Sequence, residues 1–88
     1  MRITVLSPEQ SVYEGDANAV VAPAYDGQVG ILPRHAPFVT LLGDGVLTVR
    51  DSEGTHAFRV RGGFLQVGDD TVKVVAEHAE PAGEEDAA

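Results

Sequence analysis

Groups of glycine, aspartate and proline interrupt this sequence about every ten residues, and they constrain its fold more than any other feature. Such groups favour tight turns. Between them, no window carries the apolar stripe of an amphipathic helix, so helices are not expected. The turn signals are Asp26-Gly27, Gly43-Asp44-Gly45, Ser52-Glu53-Gly54, Gly62-Gly63 and Gly68-Asp69-Asp70.

Between the turns lie short runs that are rich in β-branched residues or alternate between apolar and polar side chains. Both patterns are typical of β-strands. Two hairpins are predicted, closed by the turns at 51–54 and 68–70. Many short strands separated by turns predict an all-β fold, either a sandwich or a small barrel. The strand-like runs are residues 2–6, 17–23, 29–32, 38–42, 46–50, 56–61, 64–67 and 71–76.

The chain has 88 residues and no cysteine. This length suits one domain with a single modest core. Without cysteine the chain has no disulfide, thiolate nucleophile or cysteine-bound metal. No apolar run approaches the ~20 residues of a membrane helix, and residues 1–6 lack the features of a secretory signal. We therefore expect a soluble protein of the cytoplasmic type.

Acidic residues outnumber basic ones by 14 to 6, for a net charge of −8. Five of the acids follow Ala76, and residues 1–76 carry nine acids against six bases. An acidic body repels nucleic-acid phosphates and anionic lipid headgroups, so neither is an expected partner. From Glu80 onward the chain combines Pro, Gly, Ala and acids, so residues 80–88 are predicted to form a short disordered tail.

Residues that could support catalysis or metal binding do not form a recognisable pattern. The three histidines, His35, His56 and His78, lack the spacing of a metal site. His56 lies beside charged neighbours on a predicted strand and is expected to face solvent. Neither a nucleophile elbow nor a phosphate-binding loop is present. We therefore predict no catalytic, cofactor-binding or metal-binding residues, and a protein that is not an enzyme.

The stretch at 27–38 is unusual because two prolines bracket a short polar segment. Pro33 and Pro37 fix φ and remove two backbone donors, so Arg34-His35-Ala36 should form a stiff loop. One interpretation is a rigid corner between two sheets, held by a backbone hydrogen bond of His35. The other is a preorganised contact surface, because a rigid loop loses little entropy on binding.

Several segments, taken in order, resemble the epsilon subunit family of bacterial F-type ATP synthases, which corresponds to the delta subunit of the mitochondrial enzyme. The similarity extends over residues 3–79 and is most specific at 26–37. The segments are Ile3-Thr4-Val5-Leu6-Ser7-Pro8-Glu9, Val12-Tyr13-Glu14-Gly15-Asp16-Ala17, Asp26-Gly27-Gln28-Val29-Gly30-Ile31-Leu32-Pro33-Arg34-His35-Ala36-Pro37, Gly45-Val46-Leu47-Thr48-Val49, Arg61-Gly62-Gly63-Phe64-Leu65-Gln66-Val67 and residues 72–77.

This resemblance implies a ten-stranded β-sandwich at residues 1–79, followed by the tail at 80–88. It also implies a non-catalytic rotor subunit in the central stalk, which couples the gamma subunit to the c-ring during ion-driven ATP synthesis. Such a subunit would be a peripheral component at the cytoplasmic face of the bacterial inner membrane, with no direct lipid insertion. Its partners would be the gamma subunit and the c-ring.

The resemblance also assigns contact residues. The c-ring would be contacted by Asp26, Gly27, Gln28, Val29 and Gly30. The gamma subunit would be contacted by His35, Ala36, Pro37, Phe38, Thr40 and Leu42. Phe38 is either a hydrophobic anchor for gamma or a core residue, and both interpretations stay open. Many relatives carry an acid where Gln28 stands, so a charge-assisted contact at that position is not implied.

The end of the sequence departs from many members of the family, which continue into a helical hairpin that is inhibitory or binds ATP. Pro81 and Gly83 oppose a helix, so a minimal form without that hairpin is expected. The alternative function is a stand-alone β-sandwich that binds a carbohydrate or a peptide through its Gly/Pro loops. It is less favoured because the chain has only five aromatic residues, of which Phe58 and Phe64 lie in core-like strand contexts.

Overall fold

Eight strands and no helix make up residues 1–82, the part of the chain that the computed structural model describes. The strands are β1 (Arg2–Leu6), β2 (Ser11–Asp16), β3 (Ala19–Ala24), β4 (Gly27–Ile31), β5 (Phe38–Leu41), β6 (Gly45–Asp51), β7 (Gly54–Gly68) and β8 (Thr71–Pro81). Hydrogen bonding joins them in the order β2-β1-β8-β7-β6-β3-β4, and β5 pairs with β7. The β1–β8 pair is parallel, whereas the other neighbouring strands are antiparallel.

The two longest strands belong to both layers of a sandwich. Residues 63–68 of β7 and 71–76 of β8 pair with β5 and β1, and β2 extends this first layer. Residues 54–61 of β7 and 77–81 of β8 lie in the second layer with β6, β3 and β4. The predicted all-β sandwich is therefore confirmed. The predicted count of ten is wrong, because β7 and β8 each supply a segment to both layers without a break, so residues 1–82 contain eight strands.

A double glycine allows β7 to change layers. Gly62 and Gly63 have φ values of 65° and 103°, in the left-handed region that favours glycine. The side chains that point inward shift by one position across this bend. They lie at even positions before it and at odd positions after it: Phe58, Val60, Leu65 and Val67. The bend thus turns the strand while the hydrophobic face continues to point to the core.

The core lies between the two layers and is built from aliphatic side chains and one aromatic ring. Sixteen of the described residues are buried hydrophobics, and none of the residues 1–82 is a buried polar or charged residue. Each buried Val, Leu or Ile contributes roughly 1.5–3 kcal/mol relative to an exposed position. The buried set is Ile3, Val5, Ala17, Val20, Ala22, Ile31, Leu42, Leu47, Val49, Phe58, Val60, Leu65, Val67, Val72, Val74 and Ala76.

Both predicted hairpins are present. Asp51 pairs with Gly54 across the first turn, and Gly68 pairs with Thr71 across the second. In the second turn both central residues, at 69 and 70, have positive φ, as a type I′ turn requires. The sequence did not indicate β2, an edge strand that carries two exposed acids and pairs only with β1.

Strand β8 continues past the predicted domain boundary at residue 79. Glu80 and Pro81 pair with Arg59 and Phe58, and the Ala82 amide donates to the Ala57 carbonyl at 2.8 Å. The remainder of the predicted tail, residues 83–88, lies outside the described residues.

We expect Gly63→Ala to destabilise the fold by about 2 kcal/mol or more. Alanine would be strained by the positive φ, and its Cβ would also overlap the backbone of β8. A Cβ there would overlap the Val75 carbonyl oxygen and lie 2.8 Å from the Ala76 Cα. The matched control is Gly30→Ala, which meets nothing within 4 Å. Urea denaturation of both variants measures the difference, and equal midpoints would contradict the proposed role of the bend.

Candidate functional site

The five residues predicted to contact the c-ring form one continuous segment, residues 26–30, which is called the tip. Asp26 ends the turn between β3 and β4, and the other four residues belong to β4. Four of the five are exposed, whereas Val29 is half-buried. Gly27 has a φ of 137°, so the turn requires glycine there. In the strand order of the described residues β4 is an edge strand, so its outer side is free to meet another molecule.

Tyr25 adjoins this tip and was not among the predicted contact residues. Its side chain is 68% exposed, more than any other large hydrophobic side chain in residues 1–82. Its backbone is held in place, because the Tyr25 amide donates to the Leu41 carbonyl at 3.1 Å. An aromatic residue directly before a turn signal was a cue in the sequence that the prediction did not use.

The proline-bracketed loop is stabilised by local hydrogen bonds. The Arg34 amide donates to Asp70 Oδ1 at 2.9 Å, which links the loop to the β7–β8 turn. Arg34 also adopts a φ of 67°, which is rare for a residue other than glycine. The His35 amide donates to the Leu32 carbonyl, and His35 Nδ1 lies 2.8 Å from the Ala36 carbonyl. A carbonyl only accepts, so Nδ1 carries the proton. The structure thus contains the backbone bond of His35 that the rigid-corner interpretation requires.

The predicted gamma contacts Phe38, Thr40 and Leu42 lie on the inward-facing side of β5 and of the residue that follows it, because side chains alternate along a strand. Phe38 and Thr40 are half-buried, and the Phe38 side chain packs against the core. The centroid of the Phe38 ring lies 5.0 Å from that of the His35 ring. Leu42 is only 5% exposed, so its side chain belongs to the core and is not available to a partner. The exposed side chains of β5 are instead Val39 and Leu41, at 65% and 61%.

The outer face of the first layer carries an apolar row that crosses four strands. It consists of Leu6, Val75, Phe64 and Leu41, which are register partners in sequence: Leu6 with Val75, Val75 with Phe64, and Phe64 with Leu41. Phe64 is 37% exposed and points outward, so the expectation that it fills the core is wrong. The glycine bend shifts the alternation of β7 and places this ring on the outer face. The sequence alone did not reveal the row, because its members come from four separate segments.

A polar cluster connects the two layers at the first hairpin. The Tyr13 hydroxyl on β2 donates to Asp51 Oδ2 at 3.1 Å, and His56 Nε2 lies 2.9 Å from the same oxygen. The Glu53 amide donates to Asp51 Oδ1 at 2.8 Å. The Tyr13 ring also packs 5.4 Å from the Phe58 ring, measured between centroids. His56 is therefore half-buried and bonded, so the expectation that it faces solvent is wrong.

These contacts shift two pKa values in opposite directions. The hydrogen bond from the Glu53 amide lowers the pKa of Asp51, and the hydrogen bonds from His56 and Tyr13 add to this effect. Together they outweigh the partial desolvation of the carboxylate, which raises the pKa. Burial, and then the hydrogen bond to Asp51, raises the pKa of Tyr13 above 10.0. Among residues 1–82 there is no group of three or more metal-ligating side chains. The hydrogen bonds among Tyr13, Asp51 and His56 join β2 to the first hairpin, and these three residues are called the clasp. The described residues include no helix that could cross a membrane.

Asp51→Asn is expected to weaken the fold in a pH-dependent way. A lowered carboxyl pKa stabilises the folded state above the ordinary value of 3.8, and this contribution is lost as the pH falls. The stability difference between the natural chain and the variant should therefore be full near neutral pH and shrink below pH 3.8. Denaturation at several pH values measures it, with Asp44→Asn, an exposed carboxylate outside the clasp, as the control. A difference that does not change with pH would contradict the assignment.

The phenol of Tyr13 is expected to ionise at a higher pH than free tyrosine. The chain has two tyrosines, so Tyr25→Phe leaves Tyr13 as the sole phenol. The midpoint of its titration, followed by phenolate absorbance, should lie above pH 10.0. Because the pKa is raised in the folded state, the fold should lose stability as the pH increases through this titration. Adding Asp51→Asn should move the transition to lower pH. A transition at or below that of free tyrosine would show that the clasp does not form in solution.

Comparison with known proteins agrees with this architecture. The family model described as "ATP synthase, Delta/Epsilon chain, beta-sandwich domain" matches residues 1–82. The ATP synthase epsilon chain of Leptospira borgpetersenii is 42% identical over 78 residues, which cover 89% of this chain and 61% of that relative. The corresponding chain of Caulobacter vibrioides is 38% identical over 79 residues, which cover 90% of this chain and 92% of that relative. The chain thus spans about three fifths of the Leptospira relative and most of the Caulobacter one.

Two solved structures share the fold. A chain of the Euglena gracilis mitochondrial ATP synthase, in a structure of its OSCP, F1 and c-ring, matches with a TM-score of 0.83 at 24% identity. The match covers 90% of this chain and 51% of that one. A chain of the Tetrahymena thermophila mitochondrial ATP synthase central stalk and c-ring matches with a TM-score of 0.77 at 18% identity, over 91% of this chain and 65% of that one. From the match of its residues 1–82 to the family model, we conclude that the chain belongs to the ATP synthase delta/epsilon family, through its β-sandwich domain.

Proposed function

We propose that this chain is a non-catalytic rotor subunit of an F-type ATP synthase. In this role it joins the gamma subunit to the c-ring, so that rotation driven by ion flow is coupled to ATP synthesis. The proposal places the chain at the cytoplasmic face of a bacterial inner membrane, as a peripheral component. Membership of the delta/epsilon family supports it, and so does the naming of both relatives as ATP synthase epsilon chains.

The observation that carries the proposal is the apolar row on the outer face of the first layer. In a small domain, an outer sheet face is ordinarily polar, and a contiguous exposed apolar patch marks an interaction surface. Phe64 and Leu41 are exposed at the end of the row, and Val39 extends the apolar area along β5. We assign this face to gamma. The proline-bracketed loop, with His35, Ala36 and Pro37, borders the same face because it leads into β5.

We revise the proposed gamma contacts at β5 and at Leu42, the residue that follows it. Val39 and Leu41 replace Leu42 as contact residues, because the Leu42 side chain lies in the core. Phe38 and Thr40 remain at the border of the surface, since both are half-buried. Phe38 packs against the core and the His35 ring, so its proposed role is to support the loop more than to anchor gamma.

The tip at 26–30 is assigned to the c-ring. Two of its residues are glycines with open space around them, so a partner backbone can approach closely. A hydrogen bond between the Tyr25 amide and the Leu41 carbonyl connects the residue that precedes the tip to the end of the apolar row. The two proposed partner surfaces are therefore linked through directly bonded backbone, as a coupling element under torque requires.

Leu41→Asp should weaken binding to the cognate gamma subunit about tenfold or more, because it places a charge on an apolar surface that binding would remove from water. Leu41 is 61% exposed in the isolated chain, so the variant should keep its thermal midpoint. Isothermal titration of the natural and variant chains with purified gamma measures the change.

The matched control is Thr55→Asp, which adds the same carboxylate to an exposed strand position in the second layer. It should bind gamma like the natural chain. If the well-folded natural chain fails to bind gamma, the proposed function is overturned. If Leu41→Asp binds as tightly as Thr55→Asp, the function stands and the gamma surface lies elsewhere.

A further inference from the structure

Tyr25 and Asp26 form the turn between β3 and β4, and within residues 1–82 their side chains make no hydrogen bond or ion pair. We propose that this turn binds an arginine side chain of its partner, with the guanidinium stacked on the Tyr25 ring and paired with the Asp26 carboxylate. The inference rests on the proposed contact between the tip and the c-ring, and it names the chemistry of that contact.

The backbone of the turn is braced from one side. The Tyr25 amide donates to the Leu41 carbonyl at 3.1 Å, and the Gly43 amide donates to the Pro23 carbonyl at 2.9 Å. Gly43 fits closely, because a Cβ there would lie 2.7 Å from the Ala24 carbonyl oxygen. A turn held in this way loses little conformational entropy when it binds a partner.

The space beside the two glycines of the tip is open. A Cβ added at Gly27 or Gly30 would meet no atom within 4 Å, and the side chain of Gln28 between them is exposed. There is room for a planar group beside the turn. The Tyr25 ring offers an exposed aromatic face at this turn, since the residue is 68% exposed.

An arginine satisfies both side chains, whereas other ligand groups satisfy only one of them. The face of an aromatic ring attracts a cation, and a carboxylate accepts hydrogen bonds from a guanidinium. An apolar group would cover the ring but would desolvate the carboxylate without a partner. An anion would be repelled by Asp26. A lysine ammonium would pair with the carboxylate but lacks the planar surface that stacks on a ring.

The test uses the full chain in complex with its cognate gamma subunit, titrated against the detergent-solubilised c-ring of the same enzyme. Tyr25→Leu keeps apolar area but removes the ring face, and it should weaken ring binding about three- to tenfold. Tyr25→Phe keeps the ring face and should bind within about twofold of the natural chain. Asp26→Asn should weaken binding and reduce its salt dependence. Co-elution of each variant with gamma confirms that it is folded.

A second measurement identifies the partner group. Treating the ring with phenylglyoxal, which modifies arginine, should remove the affinity difference between the natural chain and Tyr25→Leu. Equal binding of the natural chain and Tyr25→Leu to the untreated ring would overturn the arginine inference and leave the proposed function intact. So would a loss in Tyr25→Phe as large as that in Tyr25→Leu, because the hydroxyl would then make the contact. A natural complex that does not bind the ring at all would overturn the ring contact itself.

Discussion

The arrangement of the described residues depends on the bend at Gly62 and Gly63. Both glycines adopt positive φ, and at Gly63 a side chain would collide with the backbone of β8. Because the bend shifts the inward positions by one residue, Phe58 and Val60 face the core before it and Leu65 and Val67 face it afterwards. One hairpin, β7–β8, can therefore contribute strand segments to both layers. The remaining strands are added to its two halves.

The same bend creates the proposed gamma surface. Without the shift in phase, Phe64 would point to the core and the outer face of the first layer would lack its aromatic ring. With the shift, Phe64 lies between Val75 and Leu41 in register, and the apolar row crosses four strands. The same backbone bend thus allows β7 to join both layers and creates a surface suited to protein binding.

Charged and polar groups have a different function in this molecule. The clasp of Tyr13, Asp51 and His56 joins the edge strand β2 to the hairpin of the second layer, which strand pairing alone does not do. Asp70 connects the proline-bracketed loop to the β7–β8 turn through the Arg34 amide. Such bonds hold loops and edges in place. By contrast, the exposed residues of the tip and of the apolar row lack such partners within residues 1–82, and this is what makes them suitable for contacts with other subunits.

The sequence by itself determined the all-β class, both tight hairpins and the stiff loop, because turn chemistry and short-range alternation are local properties. It indicated the family through the resemblance of several ordered segments between residues 3 and 79. It also located the 26–30 tip, whose glycines and neighbouring acid are consecutive. It did not determine that Leu42 is buried, that Phe64 is exposed or that His56 is bonded to Asp51. Those facts depend on the phase of each strand relative to the core and on which strands become neighbours. Only the tertiary structure decided them, since a one-residue shift in phase at a glycine bend moves every following side chain to the opposite face.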